Sequence, residues 1–142
     1  MNKVILLVED NPSDEKLTLL AFQSCGVSNE IIVRRDGASA LEYLQGPDAE
    51  ASALPTVVLL DLKLPKVDGL EVLERIRAHA RTRLLPVVIL TSSLEEEDVM
   101  RSYVLGANAY VRKPVEFSEF LKAAQTLGLF WLLHNEPAPR LE

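Results

Sequence analysis

VILLVEDNPSD, Val4 to Asp14, is the stretch from which the fold can be read. Val4–Val8 is a short, unbroken apolar run rich in β-branched residues. That pattern suits a strand buried on both faces of a parallel sheet, with no alternation toward solvent. The run stops at the acid pair Glu9-Asp10. Asn11-Pro12 then supplies a helix N-cap and a first-turn proline, with Asp14 and Glu15 in the first turn. The same grammar returns along the chain. TVVLL (Thr56–Leu60) stops at Asp61, VVIL (Val87–Leu90) at Thr91, and AYVR (Ala109–Arg112) at Lys113-Pro114. EIIVRR (Glu30–Arg35) is a further strand, second in chain order.

Between the strands lie helical patterns. Leu17, Leu20, Ala21 and Ser24 recur at helical spacing until Gly26, and Asp36 caps a helix carrying Ala38, Leu41 and Leu44 before Gly46-Pro47. Residues 46–55 read as a polar loop. Asp68 and Glu71 have the spacing of a helix start, with Leu70, Leu73 and Ile76 behind them. Ser93-Leu94-Glu95-Glu96 reads as a capping box for a helix reaching Leu105, with Gly106 as its C-cap. A last helix begins near Glu116 with Phe117, Phe120, Leu121 and Ala124 on one face. Strict β-α alternation with right-handed crossovers predicts an α/β fold, a doubly wound parallel sheet of five strands with five helices. The flavodoxin-like order 2-1-3-4-5 is the common five-strand solution, and it makes Glu9, Asp10 and Asp61 neighbours at the carboxyl edge, where such sheets bind ligands.

Composition narrows the classes. At 142 residues, 48% of them apolar, the chain is long enough for one domain with an ordinary core. A net charge of −6 speaks against a nucleic-acid footprint. No apolar run reaches membrane-span length and no basic-then-apolar leader opens the chain. The single cysteine, Cys25, excludes an internal disulfide. These features predict a soluble cytoplasmic protein with no membrane or nucleic-acid partner.

Three carboxylates at adjacent strand ends repel one another unless a cation sits among them. Mg²⁺ suits the place, being hard and content with one or two carboxylates, waters and a phosphate oxygen. Asp61, alone after the central strand, is then a plausible carboxylate nucleophile that forms an aspartyl-phosphate. Phosphoryl transfer asks mainly for positioning and charge neutralisation. The Lys113 ammonium supplies part of that neutralisation, and the Thr91 hydroxyl can donate to a third oxygen. Singly, each residue has a bland reading: helix-start acids, a solvated carboxylate, a cap threonine, a surface lysine. Together, in chain order at four strand ends, they favour the functional one.

VILLVEDNPSD, LLDLKLPKVDGLEVL, VVILTSS and GANAYVRKP together resemble the receiver domain of two-component response regulators, over about residues 3–127. The resemblance implies that Asp61 is the phosphoacceptor and that Glu9 and Asp10 are metal-site acids. It adds the backbone carbonyl of Lys63 as a further Mg²⁺ ligand, Thr91 and Lys113 as the phosphate-sensing pair, and Tyr110 as the switch aromatic that moves with Thr91. It also implies a cis Lys113–Pro114 bond that turns the ammonium toward Asp61. DLKLPKVDGLEVL and the ending GLFWLLHNEPAP resemble small stand-alone regulators paired with phytochrome-type histidine kinases. A histidine kinase or phosphotransfer protein is therefore the expected partner, and the chain itself is expected to be no enzyme with a separate substrate.

Two other classes use similar parts. Haloacid-dehalogenase-type phosphatases place a second Asp two residues after the nucleophile, where this chain has Lys63. A flavodoxin-like flavin carrier needs a Ser/Thr/Gly-rich phosphate loop after the first strand, where this chain has Glu9-Asp10-Asn11-Pro12. Finally, the chain divides into a receiver over residues 1–128 and an apolar extension and tail over 129–142. Leu127, Leu129, Phe130, Trp131, Leu132 and Leu133 are broken only by Gly128, too many for one helix face, and predict a homodimer packed through this segment.

Overall fold

The computed structural model describes residues 3–26, 29–49 and 54–139. The elements alternate as β1 (Val4–Val8), α1 (Pro12–Ser24), β2 (Glu30–Arg34), α2 (Gly37–Gln45), β3 (Val57–Leu60) and α3 (Gly69–Ala78). Then follow β4 (Val87–Thr91), α4 (Glu96–Val104), β5 (Ala109–Arg112) and α5 (Phe117–Leu129), which runs into a π-helical turn, Phe130–His134. The five strands are parallel in the order β2-β1-β3-β4-β5, as the alternation predicts. Part of the polar loop expected over 46–55, residues 50–53, lies outside the described residues, as do the last three residues of the expected tail.

Burial follows position in the sheet. The inner strands β1, β3 and β4 are buried at every position, while the edge strands β2 and β5 are only partly covered. Successive strand residues point to opposite faces, so the continuous apolar runs divide between two cores. Leu6, Val8, Val58, Leu60, Val87 and Ile89 pack under α2 and α3. Ile5, Leu7, Val57, Leu59 and Val88 pack under α1 and α5, with Phe22, Phe120 and Ala124.

The helix starts are set where the sequence marks them, with one exception. Asn11 accepts from the Ser13 and Asp14 N–H groups, Asp36 from Ser39 and Asp68 from Glu71. At α4 the expected capping box does not form. Ser93 Oγ instead donates to Asp98 Oδ2 at 2.6 Å, and the helix starts after Glu95 with no side-chain cap. That hydroxyl also accepts from the Glu95 N–H at 3.3 Å, so its oxygen serves the turn before the helix rather than an N–H of the helix's first turn. Gly106, at φ 104°, closes the far end of α4 as expected.

α5 also runs further than the helical periodicity implied. It passes through buried Gly128, so the division expected after residue 128 falls inside a continuous helical segment. Leu132 is fully buried in the α1/α5 core, with Leu127 and Trp131 half-buried against it. Phe130 and Leu133 remain exposed.

Candidate functional site

Register brings the strand ends together. β1 pairs with β3 so that Val8 lies opposite Leu60, and the Asp61 N–H then donates to the Val8 carbonyl at 3.1 Å. Thr91 pairs with Arg112, and the Lys113 N–H donates to the Thr91 carbonyl at 2.7 Å. Glu9, Asp61, Thr91 and Lys113 therefore leave neighbouring strands at one edge. Gly69 closes the floor. Its N–H donates to the Leu62 carbonyl at 2.9 Å, and a Cβ there would lie 2.2 Å from the Asp61 carbonyl oxygen, so only glycine lets α3 approach the acceptor loop this closely.

Lys113 is the hub of the crevice. Its ammonium lies 2.7 Å from Glu9 Oε1, 2.7 Å from Asp61 Oδ2 and 2.8 Å from Asp14 Oδ2. The three N–H donors of the ammonium thus match three carboxylates. The side chain is only 6% exposed, so the attraction within these pairs is little screened by water, while each charge has given up its hydration to enter the crevice. The remaining acceptor capacity is used as well. The Lys63 N–H donates to Asp61 Oδ1 at 3.2 Å and the Asn11 N–H to Glu9 Oε2 at 3.2 Å, while the Thr91 hydroxyl, which accepts from the Ser93 N–H at 3.4 Å, stands beside the Asp61 carboxylate.

The same contacts set the charges. Burial pushes the Lys113 ammonium toward neutrality, but Asp14, Asp61 and Glu9 outweigh it and raise its pKa. Burial also pushes Asp61 upward, yet the Lys113 hydrogen bond and charge, with Thr91 and the Lys63 N–H, hold its carboxyl below the ordinary value. Glu9 is 1% exposed and shares the ammonium with two other acids. Burial wins there and raises its pKa to about 7. Asp61 is thus an ionised nucleophile-type carboxylate at neutral pH, while Glu9 sits near its titration point.

One carboxylate oxygen each from Glu9, Asp10 and Asp61 lie within 4.8 Å of one another. Asp10 is exposed where Glu9 and Asp61 are buried, so the group opens to solvent on one side only. Hard anionic oxygens in one open cluster are the donor set of a divalent cation such as Mg²⁺ or Mn²⁺, with room for waters. The residues present fit that group.

The structure brings Glu9, Asp10, Asp61, Thr91 and Lys113 to this edge, with one correction and one omission. The cis Lys113–Pro114 bond is not found: no peptide bond among the described residues is cis. The trans form is favoured by about 0.5–1 kcal/mol for an X–Pro bond, and the Lys113 stem spans to Asp61 without the bend. Tyr110 is half-buried, and its hydroxyl donates to the Ser93 carbonyl at 3.3 Å, tying β5 to the loop that follows Thr91. The omission is Asp14, which reads in the sequence only as a first-turn acid of α1. The clue was its place one turn after an acid pair that itself ends a strand, which turns the start of α1 over the crevice.

A family profile described as the response regulator receiver domain matches residues 5–125. Rcp1 of Synechocystis is 41% identical over 131 residues, covering 92% of this chain and 89% of Rcp1. The structure of the Mn(2+)-bound form of Rcp1 superposes with a TM-score of 0.90, covering 96% of this chain and 99% of that one. The phosphorylated cyanobacterial phytochrome response regulator RcpA gives 0.92 at 36% identity, over 98% of this chain and 100% of that one. The bacteriophytochrome response regulator RtBRR is 56% identical with a TM-score of 0.75, over 98% of this chain and 86% of that one.

Proposed function

Because the chain belongs to the response regulator receiver domain family of two-component signalling, we propose that it takes a phosphoryl group from a histidine kinase or phosphotransfer protein onto Asp61. The observation that carries this reading is the convergence on Asp61 of Lys113 at 2.7 Å and the Thr91 hydroxyl, beside two further acids. An Asp61 carboxylate oxygen attacks phosphorus on the donor imidazole. The P–O bond forms as the P–N bond breaks, and its electron pair leaves with the imidazole. The ionised carboxyl is ready to attack, and Lys113 and Thr91 point donors at the oxygens that gain charge.

Glu9, Asp10, Asp61 and the backbone carbonyl of Lys63 would hold Mg²⁺, which supplies positive charge between the carboxylates and the phosphoryl oxygens. The Mn(2+)-bound form of Rcp1 supports a divalent ion here. Thr91 and Tyr110 serve as the switch. Drawing the Thr91 hydroxyl toward a phosphoryl oxygen pulls on the loop held by the Tyr110–Ser93 hydrogen bond. The response is a changed binding surface, with no second substrate.

The phytochrome regulators among the neighbours support a phytochrome-type histidine kinase as partner and a cytoplasmic place of action. No described helix is long and apolar enough to cross a membrane. Exposed Phe130 and Leu133, flanking half-buried Trp131, support a homodimer formed through the end of α5. The receiver would then comprise residues 1–128, with 129–142 as the dimerising extension. Intact mass after treatment with Mg²⁺ and acetyl phosphate tests the central claim. Wild type should gain one phosphoryl group, and Asp61→Asn none. Equal labelling of the two would move the acceptor elsewhere.

A further inference from the structure

We infer that Asp14 is a positioning residue for phosphoryl transfer, the fixed anchor that keeps the Lys113 ammonium in the crevice while its other two partners are occupied by the reaction. The inference rests on the reading of Asp61 as phosphoacceptor. Lys113 has three donors and three acceptors: Glu9, Asp61 and Asp14. Two of these change role in the proposed chemistry. Asp61 gives an oxygen to phosphorus and loses its carboxylate charge. Glu9 belongs to the acid cluster that fits a cation. Asp14 does neither, because it lies outside that cluster. Its bond to the ammonium alone persists before, during and after transfer.

Its backbone is built to be rigid. The Asp14 N–H donates to the Asn11 Oδ1 cap at 3.1 Å, and its carbonyl accepts from the fully buried Thr18 hydroxyl at 2.8 Å. The Asp14 side chain is 23% exposed, at the mouth, while that of Lys113 is 6% exposed. A flexible four-carbon stem therefore ends in a charge held from the helix side, and rigid support of this kind is what keeps a reacting group in productive geometry. Without Asp14 the resting ammonium would be held only by Glu9 and Asp61, the two carboxylates that the reaction engages.

The test uses the full chain, acetyl phosphate as donor, and Mg²⁺. Asp14→Asn should lower the maximal labelling rate about tenfold, the order expected for loss of one charge-assisted hydrogen bond. The half-saturating donor concentration and the calorimetric Mg²⁺ affinity should stay within about twofold. Asp14→Glu, which keeps the charge, should restore most of the rate. A maximal rate that is unchanged or raised in Asp14→Asn, or a fall matched by an equal loss of Mg²⁺ affinity, overturns the inference. If wild type itself takes no label, the acceptor reading fails instead. Should Asp14→Asn not fold, the Lys113 ammonium signal of wild type in NMR decides the matter as beryllofluoride, a phosphoryl mimic, is added. A signal that stays sharp supports the anchor, and one that broadens into solvent exchange refutes it.

Discussion

Replacing Glu9 with glutamine should stabilise the metal-free protein above neutral pH, although it deletes half of a buried ion pair. Burial raises the Glu9 carboxyl from its ordinary 4.5 to about 7. Between these values the folded chain keeps a proton that the unfolded chain releases, so raising the pH favours unfolding. At about 1.4 kcal/mol per pH unit, the gap removes about 3 kcal/mol of stability by pH 8. Asp61 and Lys113 do not slope across this window. Asp61 is held below its ordinary value and loses its contribution only as pH falls beneath it, and Lys113, raised, only as pH climbs past 10.5. Lys113 keeps Asp61 and Asp14 when Glu9 is neutralised, so the substitution orphans no charge. Urea melts at fixed protein concentration, from pH 4.5 to 8 in chelator, read the difference directly. Glu9→Gln should match wild type at pH 4.5 and exceed it by about 3 kcal/mol at pH 8, and saturating Mg²⁺ should narrow the gap by stabilising wild type more than the variant, which lacks one of the carboxylates. Parallel pH curves, or a variant less stable at pH 8, would refute the reasoning. The Glu9–Lys113 attraction would then outweigh the burial cost.

Three further outcomes follow from the geometry. Asp10→Ala should weaken Mg²⁺ binding by an order of magnitude or more in calorimetry, because it removes the exposed member of the acid cluster; an unchanged titration would place the ion elsewhere. Arg77→Ala should cost about 3 kcal/mol in thermal or urea unfolding, because its guanidinium donates to the Leu85 and Gly106 carbonyls and to Asn108 Oδ1, while acetyl-phosphate labelling of Asp61 stays near wild type. Trp131→Ala should shift light scattering from dimer toward monomer, and a wild-type monomer at high concentration would overturn the proposed dimer.

How much was legible depended on whether one residue's physics sufficed. The strands were legible because an unbroken apolar run ending at a polar residue has few other homes, and the site inherited that legibility, since each reactive residue is the next one along. The start of α4 was not, because the Ser93 hydroxyl donates to Asp98 and accepts from the Glu95 N–H, a local arrangement that the Ser-x-x-Glu spacing does not reveal. The cis Lys113–Pro114 bond came from resemblance alone, with no local signal behind it, and the chain takes the trans form. Asp14 was visible as a first-turn acid, but its use depends on Lys113, 99 residues away.

The apolar ending shows the same limit from the other side. Leu127 to Leu133 has no periodicity to read, so the sequence says only that large apolar groups need cover. The chain meets part of that need itself. Leu132 fills the α1/α5 core, and burying a leucine is worth about 1.5–3 kcal/mol. A π-helical turn is a costly way to continue a helix, yet the wider turn carries Leu132 onto the core while Phe130 and Leu133 point outward. The proposed dimer is therefore compatible with the intramolecular packing of the same segment. The turn splits the run between them: the inward residue fixes the end of α5 to the receiver, and that fixed end presents the outward pair as a rigid apolar surface. A second copy of the chain could cover this surface without first paying the entropy of ordering it.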